Sequence, residues 1–237
     1  MKNVMKGMVY AFILLLVMSS PLRADEDEPK LILDDDWKIW VRIGPTVGFP
    51  MGASADVSGK LTFAYGGQVG GSFRKIPGNW SFEFLKTEIN RVEYNNISET
   101  QVATFSGDDI QLLFSWRLPF NKRTGISPYA EAIAGGLIYT SSIEARYVSL
   151  GTTYTIGYDD HQRFTYIFGI GAGASLLIGT IGGNEKSRPV GLALQLSGRW
   201  LFGGPVYLPE EVSGDFPVYN LRHYQSFSVG FGLLFLI

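Results

Sequence analysis

The residues best suited to acid–base or nucleophilic chemistry are two histidines, His161 and His223, and each has polar neighbours in the sequence. Asp159 and Asp160 directly precede His161, and Ser226 follows His223 by three positions. A histidine held between a carboxylate and a serine can activate the serine hydroxyl as a nucleophile. Neither group shows this complete set at a catalytic spacing. We therefore interpret both histidines as loop residues and predict no catalytic residue and no enzyme activity.

Metal and cofactor chemistry is equally poorly supported. The chain contains no cysteine, which excludes cysteine-based metal sites, disulfides and thiol nucleophiles. Two histidines with loop carboxylates could bind zinc, but no ligand spacing indicates it. The glycines at 169, 171 and 173 fit a strand better than a phosphate-binding loop. No basic patch with interleaved aromatic residues points to nucleic acid. We predict no metal, no cofactor and no nucleic-acid partner.

Charged residues recur at alternate positions inside otherwise apolar stretches. Period-two alternation is typical of strands, where successive side chains point to opposite faces. Mixed charges in a narrow interior must pair or stay hydrated, so we predict a salt-bridged plug, with a small conductance as the alternative. The predicted inward-facing charges are Lys38, Arg42, Arg74, Glu83, Lys86, Glu88, Arg117, Glu131 and Arg199.

Eight segments carry this alternation, each with one bulky apolar face. The connections after odd-numbered segments run to about 11–22 residues and those after even-numbered segments to about 5–10. Short turns that alternate with longer loops are typical of membrane barrels with both ends periplasmic. The predicted fold is therefore all-β: an eight-stranded antiparallel up-and-down transmembrane β-barrel with short periplasmic turns and longer extracellular loops. A barrel of this size is filled by side chains.

Some details of the strands need local interpretation. Pro45 lacks the N–H of a sheet ladder and predicts a bulge or an unpaired position. Continued alternation after Trp80 would place Lys86 in lipid, so we predict a bulge near residues 84–85 that turns it and Glu88 inward. Residues 95–107 are predicted to be a polar loop, whereas 143–162 should extend a hairpin above the membrane.

Tryptophans fall at predicted strand ends, where aromatic side chains form interfacial girdles in membrane barrels. Trp37, Trp80 and Trp116 are assigned to the periplasmic interface, and Trp200 is assigned to the external one.

The start of the chain predicts export. Lys2 and Lys6 precede an apolar run of eleven residues, Met8 to Met18, which is too short to span a bilayer as a helix. We predict a cleaved signal peptide over residues 1–24, with cleavage after Ser20 as the alternative. An acidic periplasmic N-terminal segment over 25–36 and the transmembrane barrel over 37–237 follow. The barrel region is nearly neutral, with 16 basic and 15 acidic residues.

The last segment, from Gln225, has large apolar residues at every odd position and Ser or Gly at its first even positions. It resembles the C-terminal closing strand of bacterial outer-membrane β-barrels, with Gly232, Phe235 and Ile237 at the positions of that family's assembly signal. The family pattern favours Phe where this chain has Ile237. The odd positions are Phe227, Val229, Phe231, Leu233, Phe235 and Ile237.

The mature chain as a whole resembles the small outer-membrane barrel superfamily of OmpA/OmpX-like and opacity-type surface proteins. The resemblance implies a Gram-negative outer-membrane location and contact with outer-membrane lipid and lipopolysaccharide. It also implies insertion by the barrel-assembly machinery, and loops that bind an unknown extracellular ligand or support membrane integrity. Two alternatives stay open: a narrow porin-like pore for small solutes and a lipid A-modifying enzyme. The His-x-Ser pair of lipid A deacylases is absent at 161–163 and 223–225.

Overall fold

The computed structural model is a closed ring of antiparallel strands, and no helix occurs among the described residues. It describes residues 39–52, 61–72, 78–98, 101–120, 126–149, 152–182, 190–210 and 218–237. The predicted signal peptide and acidic segment lie outside these ranges. The strands are β1 (Ile39–Ile43), β2 (Thr46–Pro50), β3 (Thr62–Ser72), β4 (Asn79–Ser98), β5 (Gln101–Pro119), β6 (Ile126–Ser149), β7 (Thr152–Ile181), β8 (Val190–Glu210) and β9 (Val218–Leu236).

The ring closes through the first and last strands. Both β1 and β2 pair with β3 on one side and with β9 on the other, and β3 pairs in turn with β4. They form one wall strand that is interrupted at Gly44 and Pro45, where the prediction placed an irregularity. The proline ring has no N–H to donate, although its carbonyl still accepts from the N–H of Phe231 at 3.1 Å. The predicted eight-stranded barrel is therefore confirmed.

The wall has a bulky apolar outer face and a smaller, more polar inner face along most of its height. On β3, Phe63, Tyr65 and Val69 are exposed, whereas Thr62, Ala64 and Gln68 between them are buried. This arrangement is the inverse of a water-soluble barrel and suits a wall surrounded by lipid. The described residues contain no helix long and apolar enough to cross a membrane.

The hairpins extend far beyond the length needed to cross a bilayer. A transmembrane strand needs about 9–11 residues, whereas β7 has 30 and β6 has 24. Their pairing continues to Ser149 and Thr152, which confirms the extended hairpin predicted for 143–162. The loop predicted for 95–107 is wrong. There β4 and β5 continue their pairing, with register shifts, as far as Ser98 and Gln101.

The outer face changes from apolar to polar along one row of paired residues. Glu88, Asp108, Thr140 and Gln162 lie side by side across β4, β5, β6 and β7. In the next row towards the termini, Ile110, Ile138 and Phe164 lie beside Lys86. We call the residues of β4–β9 beyond the polar row the extension. Since lipid favours apolar side chains, this row marks where the wall leaves the hydrocarbon.

The extension consists of two parts. Pairing between β7 and β8 ends at Ile167 and Gly203, so beyond that point β8 and β9 form a separate hairpin. The strands β4 to β7 stay paired as a sheet. The two parts pack together through buried apolar side chains that continue the interior of the barrel upwards.

Candidate functional site

The interior of the barrel contains a buried layer of five charged side chains, which we call the arginine–glutamate layer. Each member is at most 5% exposed. Glu83 accepts from Arg42 Nη1 at 3.0 Å and also pairs with Arg199 Nη1. Glu131 accepts from Arg199 Nε at 2.6 Å and from Arg117 Nε at 2.9 Å. The five side chains thus form one unbroken chain of ion pairs across the lumen, contributed by β1, β4, β5, β6 and β8.

Neutral groups tie this layer to the rest of the wall. Arg117 Nη2 donates to Gln68 Oε1 at 2.8 Å, and Gln68 Nε2 donates to Ser81 Oγ at 2.9 Å. The Arg117 guanidinium also lies 4.6 Å from the ring of Trp40 and 4.7 Å from that of Tyr129. Arginine stacks readily on aromatic faces because its charge is delocalised and weakly hydrated. The layer is therefore held by ion pairs, hydrogen bonds and cation–π contacts together.

Two glycines provide the space that the layer occupies. A Cβ atom at Gly171 would lie 2.8 Å from Glu131 Oε1 and 3.0 Å from Arg199 Cγ. A Cβ atom at Gly232 would lie 2.8 Å from Arg42 Nε and 2.9 Å from the carbonyl oxygen of Ile43. Gly232, which the sequence assigned to an assembly signal, thus also makes room for a buried arginine. Small wall residues and long charged lumen residues complement each other in volume.

Four of the nine predicted lumen charges are not in this layer. Lys38 and Arg74 lie outside the described residues. Lys86 and Glu88 lie on the outer face, so their predicted inward orientation is wrong, as is the predicted bulge: the pairing of β4 with β3 and β5 is continuous through residues 84–85. The physical reason is the position of Lys86 and Glu88 along the barrel axis, at or next to the polar row. Lys86 hydrogen-bonds to Tyr65 beside the polar row, where the charge no longer faces hydrocarbon.

The other residues assigned from the sequence lie as follows. Trp80 and Trp116 pair side by side on the outer face of β4 and β5. Trp200 is 43% exposed on the outer face and stacks on Phe202 at 5.4 Å. Trp37 lies outside the described residues. Phe235 and Ile237 lie on the outer face, and the backbone of Ile237 exchanges two hydrogen bonds with that of Ile39.

A buried carboxylate that the sequence interpretation missed lies nearer the external end of the lumen. Asp109 is 3% exposed, and its Oδ1 accepts from Gln111 Nε2 at 2.9 Å. Its Oδ2 accepts from the Tyr224 hydroxyl at 3.2 Å, and the side chain of Thr87 also hydrogen-bonds to it. Asp109 lies two positions before Gln111 in the same alternation. Extension of the β5 alternation by one step would have placed it in the lumen.

Beyond Asp109 the interior becomes an apolar cap. Its members come from β5, β6 and β8, and include the largest side chains of the protein that are fully buried. Because β8 and β9 lean onto the inner faces of β6 and β7, this cluster fills the external mouth of the barrel. The cap contains Ala103, Phe105, Ile143, Val206 and Leu208, each at most 7% exposed.

Aromatic contacts fasten the two parts of the extension to each other. The His161 ring stacks on Tyr207 at 4.8 Å and meets Tyr219 edge-on at 4.3 Å. The Tyr219 hydroxyl donates to the backbone oxygens of Ser141 at 3.2 Å and Asp159 at 3.1 Å. Burial raises the pKa of Tyr219 well above its ordinary value, so this hydroxyl stays protonated and available as a donor at neutral pH.

The same cluster does not form a catalytic set. His161 Nε2 lies 3.4 Å from Asp159 Oδ2, and Ser141 is its cross-strand neighbour. However, the Ser141 hydroxyl is fully buried and has no hydrogen-bond partner among the described residues. A nucleophile must contact its base and be reachable by substrate. His223 contacts the backbone oxygen of Gly203 at 3.4 Å, which is a structural contact.

Two small spaces lie within the filling of the lumen. A cavity of about 30 Å³ lies beside Asp109, and one of about 60 Å³ lies below the arginine–glutamate layer beside Trp40 and Asn79. A single water molecule needs about 10–15 Å³ of such space. Within the described ranges no group of three or more histidine and acidic side chains could hold a metal ion. The interior is thus a packed stem with two small water-sized spaces.

Neither a protein-family model nor a curated protein matches the chain. Among solved structures, the Neisserial surface protein A is similar at 12% identity and a TM-score of 0.44, over 84% of this chain and 97% of that one. Ail of Yersinia pestis, solved with the heparin analogue sucrose octasulfate, is similar at 11% identity and a TM-score of 0.35, over 84% of this chain and 99% of that one. The outer membrane protein AlkL is similar at 13% identity and a TM-score of 0.37, over 90% of this chain and 97% of that one. These are structures to which the chain is similar, and at these identities and TM-scores they carry no argument about its family or function.

Proposed function

We propose that this protein is a non-enzymatic outer-membrane barrel whose filled lumen serves as a rigid stem and whose extension binds an extracellular ligand. The observation that carries the proposal is the reversal of polarity at the row of Glu88, Asp108, Thr140 and Gln162. Below this row the outer face is apolar, and the lumen holds the arginine–glutamate layer beside buried apolar side chains such as Leu113 and Ile133. Above it the outer face is polar and the interior is an apolar cap.

This reversal is what a strand must undergo when it passes from lipid into water. In water a sheet is stable when its apolar face is buried against another layer. The extension meets this requirement with its own core, so it is a folded structure and not a set of surface loops. On β7 it comprises ten residues, 152–161, or roughly 33 Å of strand at about 3.3 Å per residue. A rigid platform of this height is suited to macromolecular contact outside the cell.

A pore for small solutes is less well supported by the same interior. A solute would have to pass both the ion-paired layer and the cap, and both are closed. If the lumen is a stem, the purified protein in planar bilayers should show no sustained single-channel current. Regular conductance steps that an engineered pair of opposing cysteines abolishes would instead favour the pore.

Labelling on intact cells would test the proposed placement. The chain has no cysteine, so a single engineered thiol is a clean probe. Asp160→Cys, at an exposed position of the extension, should react with a membrane-impermeant maleimide. Ser81→Cys, at a fully buried position of the lumen, is the matched control and should react only after unfolding. Protection of position 160 on intact cells would refute an extracellular extension.

The binding role requires a variant that shortens the extension but keeps the stem. Replacement of residues 145–157 by Asn-Gly would join Glu144 to Tyr158, which are cross-strand partners, through a two-residue turn. The shortened protein should fold and remain heat-modifiable on gels. Cells that carry it should lose whatever binding the full-length chain confers to a panel of immobilised polysaccharides and extracellular proteins. Unchanged binding by the shortened, surface-exposed protein would contradict the role of this hairpin.

A further inference from the structure

We infer that the cavity beside Asp109 is a binding site for one monovalent alkali cation. This cavity lies in the interior of the stem. Cation binding there is separate from the proposed binding of an extracellular ligand and does not depend on it.

The charge of Asp109 is the first observation. All the described groups that hydrogen-bond to its carboxylate are neutral: Thr87, Gln111 and Tyr224. The three lumen arginines contact Glu83 and Glu131, and no arginine or lysine within the described ranges is ion-paired with Asp109. A buried carboxylate without a counter-charge is unfavourable. A bound cation would restore neutrality locally.

The second observation is independent of the carboxylate. Two other side chains that line the same cavity keep an oxygen atom buried and without a hydrogen-bond partner in the described part of the chain. These atoms are Thr46 Oγ1 and Gln111 Oε1, on residues that are 3% and 4% exposed. Gln111 directs its amide nitrogen to Asp109 and Tyr224, which leaves its oxygen for another partner. Unsatisfied buried acceptors beside an unpaired carboxylate call for a positive ligand.

The lining determines which cation would fit. It is rich in oxygen and has one acidic residue, and hard cations are bound by carboxylate, carbonyl and hydroxyl oxygens. A divalent ion would leave one uncompensated positive charge, whereas a monovalent ion matches the single carboxylate. The space of about 30 Å³ holds one small ion or water. The oxygen-bearing residues around it include Thr46, Thr87, Asp109, Gln111, Ser226 and Ser228.

The first test compares cations by their effect on thermal unfolding. The folded full-length protein in detergent at pH 8 would be heated in NaCl or KCl, with choline chloride keeping the ionic strength constant. Sodium or potassium should raise the unfolding midpoint in a saturable manner, because a ligand that binds only the folded state stabilises it. An equal effect of choline would overturn the proposal, as would an Asp109-dependent effect confined to Ca²⁺ or Mg²⁺.

Variants identify the site. Asp109→Asn should abolish the cation dependence of the unfolding midpoint. Thr46→Val, which removes one proposed ligand with little change in shape, should raise the half-saturating concentration about tenfold. Thr165→Val, a buried lumen threonine that does not line this cavity, is the matched control and should leave it unchanged. If Thr46→Val and Thr165→Val behave alike, the assigned site is wrong.

A crystallographic measurement on the unaltered protein tests the site even if the variants fail to fold. Crystals of the unaltered protein soaked in a thallium(I) salt, which replaces alkali ions and scatters anomalously, should show a peak within the cavity lined by Asp109, Gln111 and Thr46. A well-ordered map with no anomalous peak at this position would overturn the inference whatever the variants do.

Discussion

The lower half of this interior contains a layer of buried charges and the upper half is apolar, although one continuous set of strands encloses both. Deep in the membrane, the lumen contains Arg42, Arg199 and the other charges of the arginine–glutamate layer, packed among buried apolar side chains. Outside the membrane, it is filled by Phe105, Leu208 and the rest of the apolar cap. The solvent around the barrel explains the difference. Lipid stabilises an apolar outer face and leaves the lumen free to be polar. In water the outer face is polar and the apolar side chains are buried in the interior.

The comparison shows that the two halves should depend on different interactions. The lower half should be sensitive to the loss of a charge partner, because each remaining partner would be left buried and unpaired. The upper half should be sensitive to the loss of apolar volume, as in a soluble core. The outer face should tolerate charge above the polar row and resist it below. Unfolding in detergent micelles, followed by tryptophan fluorescence, can measure each effect.

The largest effect is expected for Glu131→Gln in the lower half. This carboxylate bridges Arg199 and Arg117, and its neutralisation leaves both guanidinium groups without their shared partner. Removal of one member of a buried ion pair is strongly destabilising, so we expect a loss of about 3–5 kcal/mol in the free energy of unfolding. A loss below about 1 kcal/mol would show that the layer is hydrated and flexible, and would remove the contrast with the cap.

Leu208→Ala tests the upper half. Leu208 is 2% exposed within the apolar cap, and truncation leaves a cavity between the two parts of the extension. Buried Leu→Ala substitutions destabilise by about 2–5 kcal/mol, and we expect about 2–4 kcal/mol here. The loss should be accompanied by faster protease cleavage of the extension while the stem stays folded. If cleavage is unchanged, the cap does not hold the two parts together.

Paired substitutions on the outer face of β5 test the boundary itself. Leu112 is 54% exposed below the polar row, where an arginine would face hydrocarbon, whereas Ser106 is exposed above it. We expect Leu112→Arg to destabilise the protein in lipid bilayers by about 2–3 kcal/mol and Ser106→Arg by about 0–1 kcal/mol. Equal effects at the two positions would mean that the membrane boundary lies elsewhere.

This boundary also explains which features the sequence could and could not predict. Period-two alternation was enough to place Arg42, Glu131 and Arg199 on the inner face, because a strand allows only two faces. Which face meets lipid is not encoded in the alternation. The prediction for Lys86 assumed hydrocarbon along the whole of β4 and introduced a bulge that does not exist. Lys86 lies only one row below the polar row, where its ammonium group interacts with Tyr65 and Asp108.

Contacts between side chains on distant strands could not be predicted from the sequence, for a different reason. The chain of contacts from Arg42 through Glu83 to Arg199 joins residues 41 and 116 positions apart. Their common layer follows from the stagger of neighbouring strands, which the pattern of one strand does not contain. Asp109 was missed because the predicted loop before it ended the β5 alternation too early. The continuation of β4 and β5 through 95–107 was missed because the mostly polar residues of this stretch were interpreted as a loop.

The smallest effect is expected for an ion pair outside the membrane. Glu144 pairs with Arg146 at 2.6 Å, but their side chains are 28% and 34% exposed, so water screens the interaction and solvates either partner alone. Exposed pairs are worth about 0.2–1 kcal/mol, and Glu144→Gln should therefore lower the free energy of unfolding by less than about 1 kcal/mol. The effect of the same substitution at Glu131 is expected to be several times larger.

Titration with salt separates the two effects further. Added NaCl should abolish the Glu144 effect and leave the Glu131 effect largely intact, because buried charges are poorly screened. If both effects decline together with salt, the lower half of the lumen is open to bulk water and the packed stem does not exist.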